Sequence, residues 1–208
     1  MQSGWELFQK GGPVMYVLLL CSIAVAAIAI ERYRFYRQAG TGAAGFVAEL
    51  GAIVRGHAPQ EAQEIVAMQQ SAPAYIAGAA LETAAEGGDA RLALDTAYGD
   101  MAMMLRRRLN YLSMIVTMAP LLGLLGTISG MIQSFSIFSI RAGEPLAITG
   151  GIGEALIATA TGLCVAIFAL IVHTYFAQRL DEMLNVLDKT SATLLAALEE
   201  KGGEAHAA

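Results

Sequence analysis

Three stretches of this chain lack formal charge over a length that matches a bilayer. Gly11 to Ile30 is 20 residues free of Asp, Glu, Lys and Arg, about 30 Å as a helix at roughly 1.5 Å per residue, the thickness of the hydrocarbon core. Leu109 to Ile140 runs for 32 such residues, and after Glu154 no charge appears until Arg179. The second stretch would reach some 48 Å, so its helix must tilt or protrude. The pattern predicts an all-α, polytopic membrane protein with three transmembrane helices, the second and third extending into the cytoplasm.

The second stretch is apolar but carries a polar seam of Thr117, Thr127, Ser129, Gln133, Ser134 and Ser136. A hydroxyl or amide without a partner is costly in hydrocarbon, so such groups turn towards other helices or water. Gly123, Thr127, Gly130 and Ser134 follow an i, i+4, i+7, i+11 rhythm and share a face, with Gly126 and Gly130 forming a GxxxG pair beside it. In the third stretch Gly151, Ala155, Ala158, Gly162, Ala166 and Ala169 make a second small-residue stripe, flanked by Thr159 and Thr161. Ordinary helix packing accounts for such glycine spacing, and two small-faced helices also invite a third helix between them.

Glu154 differs in kind. A charge near the centre of a spanning helix costs roughly 2.5 to 3.5 kcal/mol, less near an interface, so this acid needs water, a partner or a proton. Facing an aqueous vestibule is one role for it; stabilising the dipole at the start of the third helix is the other.

Around the spans the expected organisation is an outer segment 1–12, either a frayed terminus or one with Trp5 and Phe8 at the interface, a first span 13–30, a helical cytoplasmic region 31–108, a second span 109–140, a compact outer turn 141–147, a third span 148–178, and a cytoplasmic extension and tail 179–208. Pro59 with Glu61 and Glu64 suits a first helical turn, and Asp89 suits a cap. Lys201 to Ala208 reads as a mobile tail. Arg32, Arg34 and Arg37 follow the first span, Arg106, Arg107 and Arg108 precede the second, and Arg179 follows the third. The positive-inside rule then places the N-terminus outside and the C-terminus in the cytoplasm.

Composition agrees with a membrane class: 56% hydrophobic and 15% charged residues, and a mean hydropathy of +0.54. The net charge of -5, with basic residues at span ends, argues against nucleic acid. A cleaved signal peptide would need its positive residues before the apolar run, where only Lys10 stands. Cys21 and Cys164 read as packing residues, the Met101, Met103, Met104 run likewise, and His173 beside Tyr175 as an interfacial histidine. No nucleophile–base pair or metal-ligand spacing suggests an enzyme, and no cofactor is implied.

The segments APLLGLLGTISGMIQSF, Ala119 to Phe135, and ITGGIGEALIATATGLCVAI, Ile148 to Ile167, closely resemble the signature of the MotA/TolQ/ExbB proton-channel family. GPVMYVLLL at the head of the first span and ERYRFYR at its exit look more like ExbB than TolQ. MotA has four spans where three are counted here, and the longer outer N-terminal extension of some ExbB proteins is not matched. The resemblance implies a homopentamer in the bacterial inner membrane, with the second and third helices lining a central pore around the helices of a smaller ExbD/TolR-like single-span partner that carries the protonatable Asp. A TonB/TolA-like protein would follow, with energised import as the task; a TolQ-type role in envelope integrity or a non-conducting scaffold are the alternatives. The family pattern places polar functional positions at Thr127, Glu154 and Thr159, which Ser134 and Thr161 extend along the path, with Gly123, Gly126, Gly130, Gly151, Ala155, Ala158 and Gly162 as packing positions.

Overall fold

The computed structural model describes residues 11–140 and 145–207, while the side chains of 137–140, 145–150, 154 and 203–207 fall outside that description. The expected placements of Trp5 and Phe8 and most of the outer turn lie outside the described residues. Among them the chain is all-helical: α1 Val14–Gly40, α2 Ala43–Gly56, α3 Pro59–Ala67, α4 Ala72–Ala85, α5 Ala90–Arg106, α6 Leu109–Ile140 and α7 Pro145–Ala207. Helices α1, α6 and α7 are long and apolar enough to cross a membrane.

The chain divides into two units. Met1–Ile30 with Arg108–Phe176 forms an apolar unit, and Glu31–Arg107 with Ala177–Ala208 forms a charged unit. In the apolar unit Leu18, Val25, Leu112, Ala119, Ala158 and Ala169 are buried, while Leu20, Ile23, Leu121, Ile132, Ile167 and Ile171 stay exposed. Such outward apolar surface belongs against lipid or further helices.

In the charged unit the helices are short and punctuated. Gly42 takes a left-handed φ of 72° ahead of α2, a conformation glycine adopts without steric cost. Phe46, Leu50 and Val54 then share one buried face of α2 at i, i+4, i+8. Pro59 opens α3, where the carboxylate of Glu61 accepts from the N–H of Ala58. Ser71 Oγ caps α4 by accepting from Ala74 N–H, and Asp89 caps α5 by accepting from Arg91 and Leu92 N–H at 3.0 and 3.1 Å. Ile76, Ala77, Ala80 and Leu81 of α4 and Leu94 of α5 are fully buried.

Two side chains of α1 hold the C-terminal end of α5. Arg32, 3% exposed, donates to Met104 O at 3.0 Å, and Tyr36 donates to Leu105 O at 2.9 Å. A cation and a hydroxyl thus satisfy carbonyls that have no partner within the helix. Burial pushes the Tyr36 hydroxyl up to about 12, with Arg32 pulling it down and Asp181 adding to the rise.

Two expectations change, while the helix that carries the expected first span 13–30 runs on to Gly40. The helix of the second span does not extend unbroken from the charged region, because α5 ends at Arg106 and α6 starts at Leu109, with Arg108 at φ 70° between them. Helix α7 is one run of 63 residues from Pro145 to Ala207, so Pro145 to Ala147 are helical rather than turn and Lys201 lies in a helix rather than a tail. Lys201 Nζ donates to Val54 O and His57 O, carbonyls at the C-terminal end of α2. That contact gives the end of α7 a reason to stay ordered.

Candidate functional site: the glycine and hydroxyl seam of α6 and α7

The two small-residue stripes predicted on α6 and α7 lie against each other. A Cβ added at Gly162 would fall 2.6 Å from Ala119 O, one at Gly123 3.0 Å from Thr159 Cα, one at Gly126 2.5 Å from Ala158 Cβ, and one at Gly130 3.1 Å from Ala155 Cβ. A Cβ at Gly151 would collide with the Ser134 side chain. Ala155, Ala158 and Ser134 are 3%, 1% and 2% exposed. The backbones therefore approach more closely than side chains would permit, as in small-xxx-small packing.

This arrangement alters one expectation. Among the described residues no third helix lies between the stripes, since each is filled by the other, although Val14 of α1 comes within 3.8 Å of a Cβ added at Gly126. At the edges of this pair Thr127, Thr159 and Thr161 are half-buried.

The hydroxyls are committed in a specific way. Thr159 Oγ1 donates across the interface to Gly123 O at 2.9 Å, while Thr127 donates to Leu124 O at 2.7 Å, Thr161 to Ile157 O at 2.8 Å and Ser134 to Gly130 O at 2.7 Å, each within its own helix. A hydroxyl has one proton and two lone pairs. With the proton given to a carbonyl, each oxygen is presented to its surroundings as an acceptor. The interhelical bond of Thr159 also ties it to the carbonyl of a packing glycine, so its position is fixed by the seam.

Glu154 occupies α7 one residue before buried Ala155 and shares a helical side with Ala158 and Thr161 by register; its side chain lies outside the described residues. Two polar residues were not singled out from the sequence as site positions. Ser129 and Gln133, at i and i+4 on α6, line a cavity of about 30 Å³ with Gly12, Pro13, Gly130 and Ala155, room for a single water. Their spacing was the available signal, and it marks the side of α6 that meets the start of α1 beside Ala155 of α7. Pro120, inside α6, lacks an N–H and leaves the Val116 carbonyl without its helical donor.

Comparison with known proteins agrees with this architecture. The profile of the MotA/TolQ/ExbB proton channel family matches residues 60–189. The chain is 35% identical over 173 residues to the biopolymer transport protein ExbB-like 3 of Synechocystis sp., covering 80% of this chain and 81% of that one. The ExbB-like 1 protein of the same organism is 33% identical over 183 residues, covering 79% and 67%. The biopolymer transport protein ExbB of Salmonella typhimurium is 35% identical over 87 residues, covering 41% of this chain and 36% of its own. The seams of α6 and α7 both fall inside the matched region, and the chain belongs to the MotA/TolQ/ExbB proton channel family, with ExbB-type proteins as its nearer kin.

Proposed function

We propose that the chain is the wall-forming subunit of a proton-driven motor in a bacterial inner membrane, with its N-terminus periplasmic and its C-terminus cytoplasmic. Five copies surround the helices of an ExbD/TolR-like single-span partner, and a TonB- or TolA-like protein carries the work to the outer membrane. The observation that carries this reading is the pair of acceptor-presenting hydroxyls Thr127 and Thr159 on a close-packed helix pair, with Thr161 on the opposite flank of α7, in a chain of this family.

The chemistry follows from the direction of those hydrogen bonds. A partner carboxyl that enters the membrane protonated needs an acceptor for its O–H, and the threonine oxygens supply one. A carboxylate finds no donor there, because the hydroxyl protons already serve backbone carbonyls, so the wall favours the neutral acid and couples protonation to movement along it. Glu154 sets the potential at the outer mouth, and Ser134, buried in the seam, holds the two helices in register. The energy is sufficient: each elementary charge crossing 100 mV releases about 2.3 kcal/mol.

The test is to reconstitute the protein with its single-span partner and measure work driven by a proton gradient. Thr127→Val and Glu154→Ala are expected to abolish it while leaving assembly intact. Thr159→Ser, which keeps the bond to Gly123 O, is expected to retain most activity, and Thr159→Val to lose it. Full gradient-driven work in all of these variants would leave a passive scaffold as the better reading.

A further inference from the structure

Helix α1 carries arginines on two opposite faces, and only one face uses them for folding. Arg32 points inward, 3% exposed, and bonds Glu31 and Met104 O. Arg34 and Arg37 point outward and are exposed, with no carboxylate partner among the described residues. Beside them stands Tyr33, 54% exposed.

The same outward face is apolar in the preceding turns. Ile23 and Ile30 are 56% and 64% exposed, and Ile23, Ile30 and Arg37 recur at intervals of seven, while Arg34 follows Ile30 by four. Along one surface of one helix the order is aliphatic, then aromatic, then twice cationic. A phospholipid has the matching order: acyl chains, a glycerol region where tyrosine side chains settle, and a phosphate.

We propose that Tyr33, Arg34 and Arg37 form a binding site for the headgroup of an anionic phospholipid, its acyl chains lying along the aliphatic part of α1. The charge requirement selects the lipid. A zwitterionic headgroup brings its own cation to the phosphate, whereas an anionic one leaves a net negative charge for two guanidinium groups that present forked donors. The inference needs α1 to lie in a membrane and stands whether or not the chain conducts protons.

The experiment uses the full chain in phosphatidylcholine membranes doped with spin-labelled phosphatidylglycerol or, separately, spin-labelled phosphatidylcholine, and reads the ratio of protein-immobilised label. The wild-type protein is expected to prefer phosphatidylglycerol about 25-fold, each arginine contributing about fivefold. Arg34→Gln with Arg37→Gln is expected to bring the ratio near parity. Arg34→Lys with Arg37→Lys should keep much of it, and Arg91→Gln, an exposed arginine of α5, should change nothing. Should the double glutamine variant fail to fold, the wild-type preference must still collapse between about 0.05 and 0.5 M salt, since exposed charge pairs are screened. A preference that survives the double substitution or the salt overturns the proposal. So does loss of oligomer with the lipid preference intact, which would assign the two arginines to a contact between copies of the chain.

Discussion

In the apolar unit α6 meets α7 through Gly123, Gly126, Gly130, Ala155, Ala158 and Gly162, whereas in the charged unit the helices meet through Phe46, Leu50, Ile76, Leu81, Leu94 and Leu187, all buried to 2% or less. The difference follows from the solvent each unit faces. Water drives large side chains together, so bulk in the interior is stabilising. Lipid tails are as apolar as leucine and give no such drive, so helices in a bilayer gain by close backbone contact and short polar links such as Thr159 to Gly123 O. One unit tolerates no added atom at its seam, and the other no missing one.

Opposite substitutions should therefore damage the two units. The largest effect is expected from Phe46→Ala, which removes a core aromatic and should destabilise the charged unit by about 3 to 5 kcal/mol. Urea titration of the detergent-solubilised protein, followed by hydrogen exchange of peptides from residues 43–67, reads it directly. A loss below about 1 kcal/mol would mean that this unit is not held by bulk.

Next comes Gly162→Ala, the addition of one carbon where the Ala119 carbonyl stands 2.6 Å from the new atom. It is expected to cost about 1 to 3 kcal/mol in the apolar unit. Gly51→Ala in α2 is the matched control, because its Cβ would meet only the flexible end of Arg55 at 3.2 Å and Thr193 at 3.5 Å. There the better helix propensity of alanine should be neutral or stabilising by up to about 1 kcal/mol. Equal responses at the two glycines, in thermal melts of each variant, would erase the contrast.

The smallest effect sharpens the contrast by pH. Tyr36, pushed up to about 12, is held neutral by the fold, so its contribution is complete below the unfolded value near 10 and is lost as the pH rises through 12. Tyr36→Phe should lower stability of the charged unit by about 1 kcal/mol at neutral pH, and the gap to wild type should close between pH 9 and 12. A constant gap across that range would mean that the tyrosine is not buried as described.

The sequence carried the helical class, the three apolar lengths and the two small-residue stripes, because charge gaps and i, i+4 spacing are properties of composition and period alone. Asp89 and Pro59 were legible for the same local reason, since a cap or a first-turn proline is decided within four residues. What stayed hidden was pairwise. Nothing in the spacing of Thr159 announces that its hydroxyl reaches Gly123 O, or that Arg32 and Tyr36 reach carbonyls some seventy positions away. Lys201 falls in a segment that reads as a tail, yet its ammonium meets the end of α2 and the helix goes on.

Pro120 gives α6 a soft spot. Bending a helix normally strains an intact ladder, but at Val116 one rung is already absent, so flexure there costs one hydrogen bond less than at neighbouring turns. Because Gly123 and the carbonyl of Ala119 that faces Gly162 sit within a turn of the proline, α6 can yield on the Val116 side while its clasp on α7 holds.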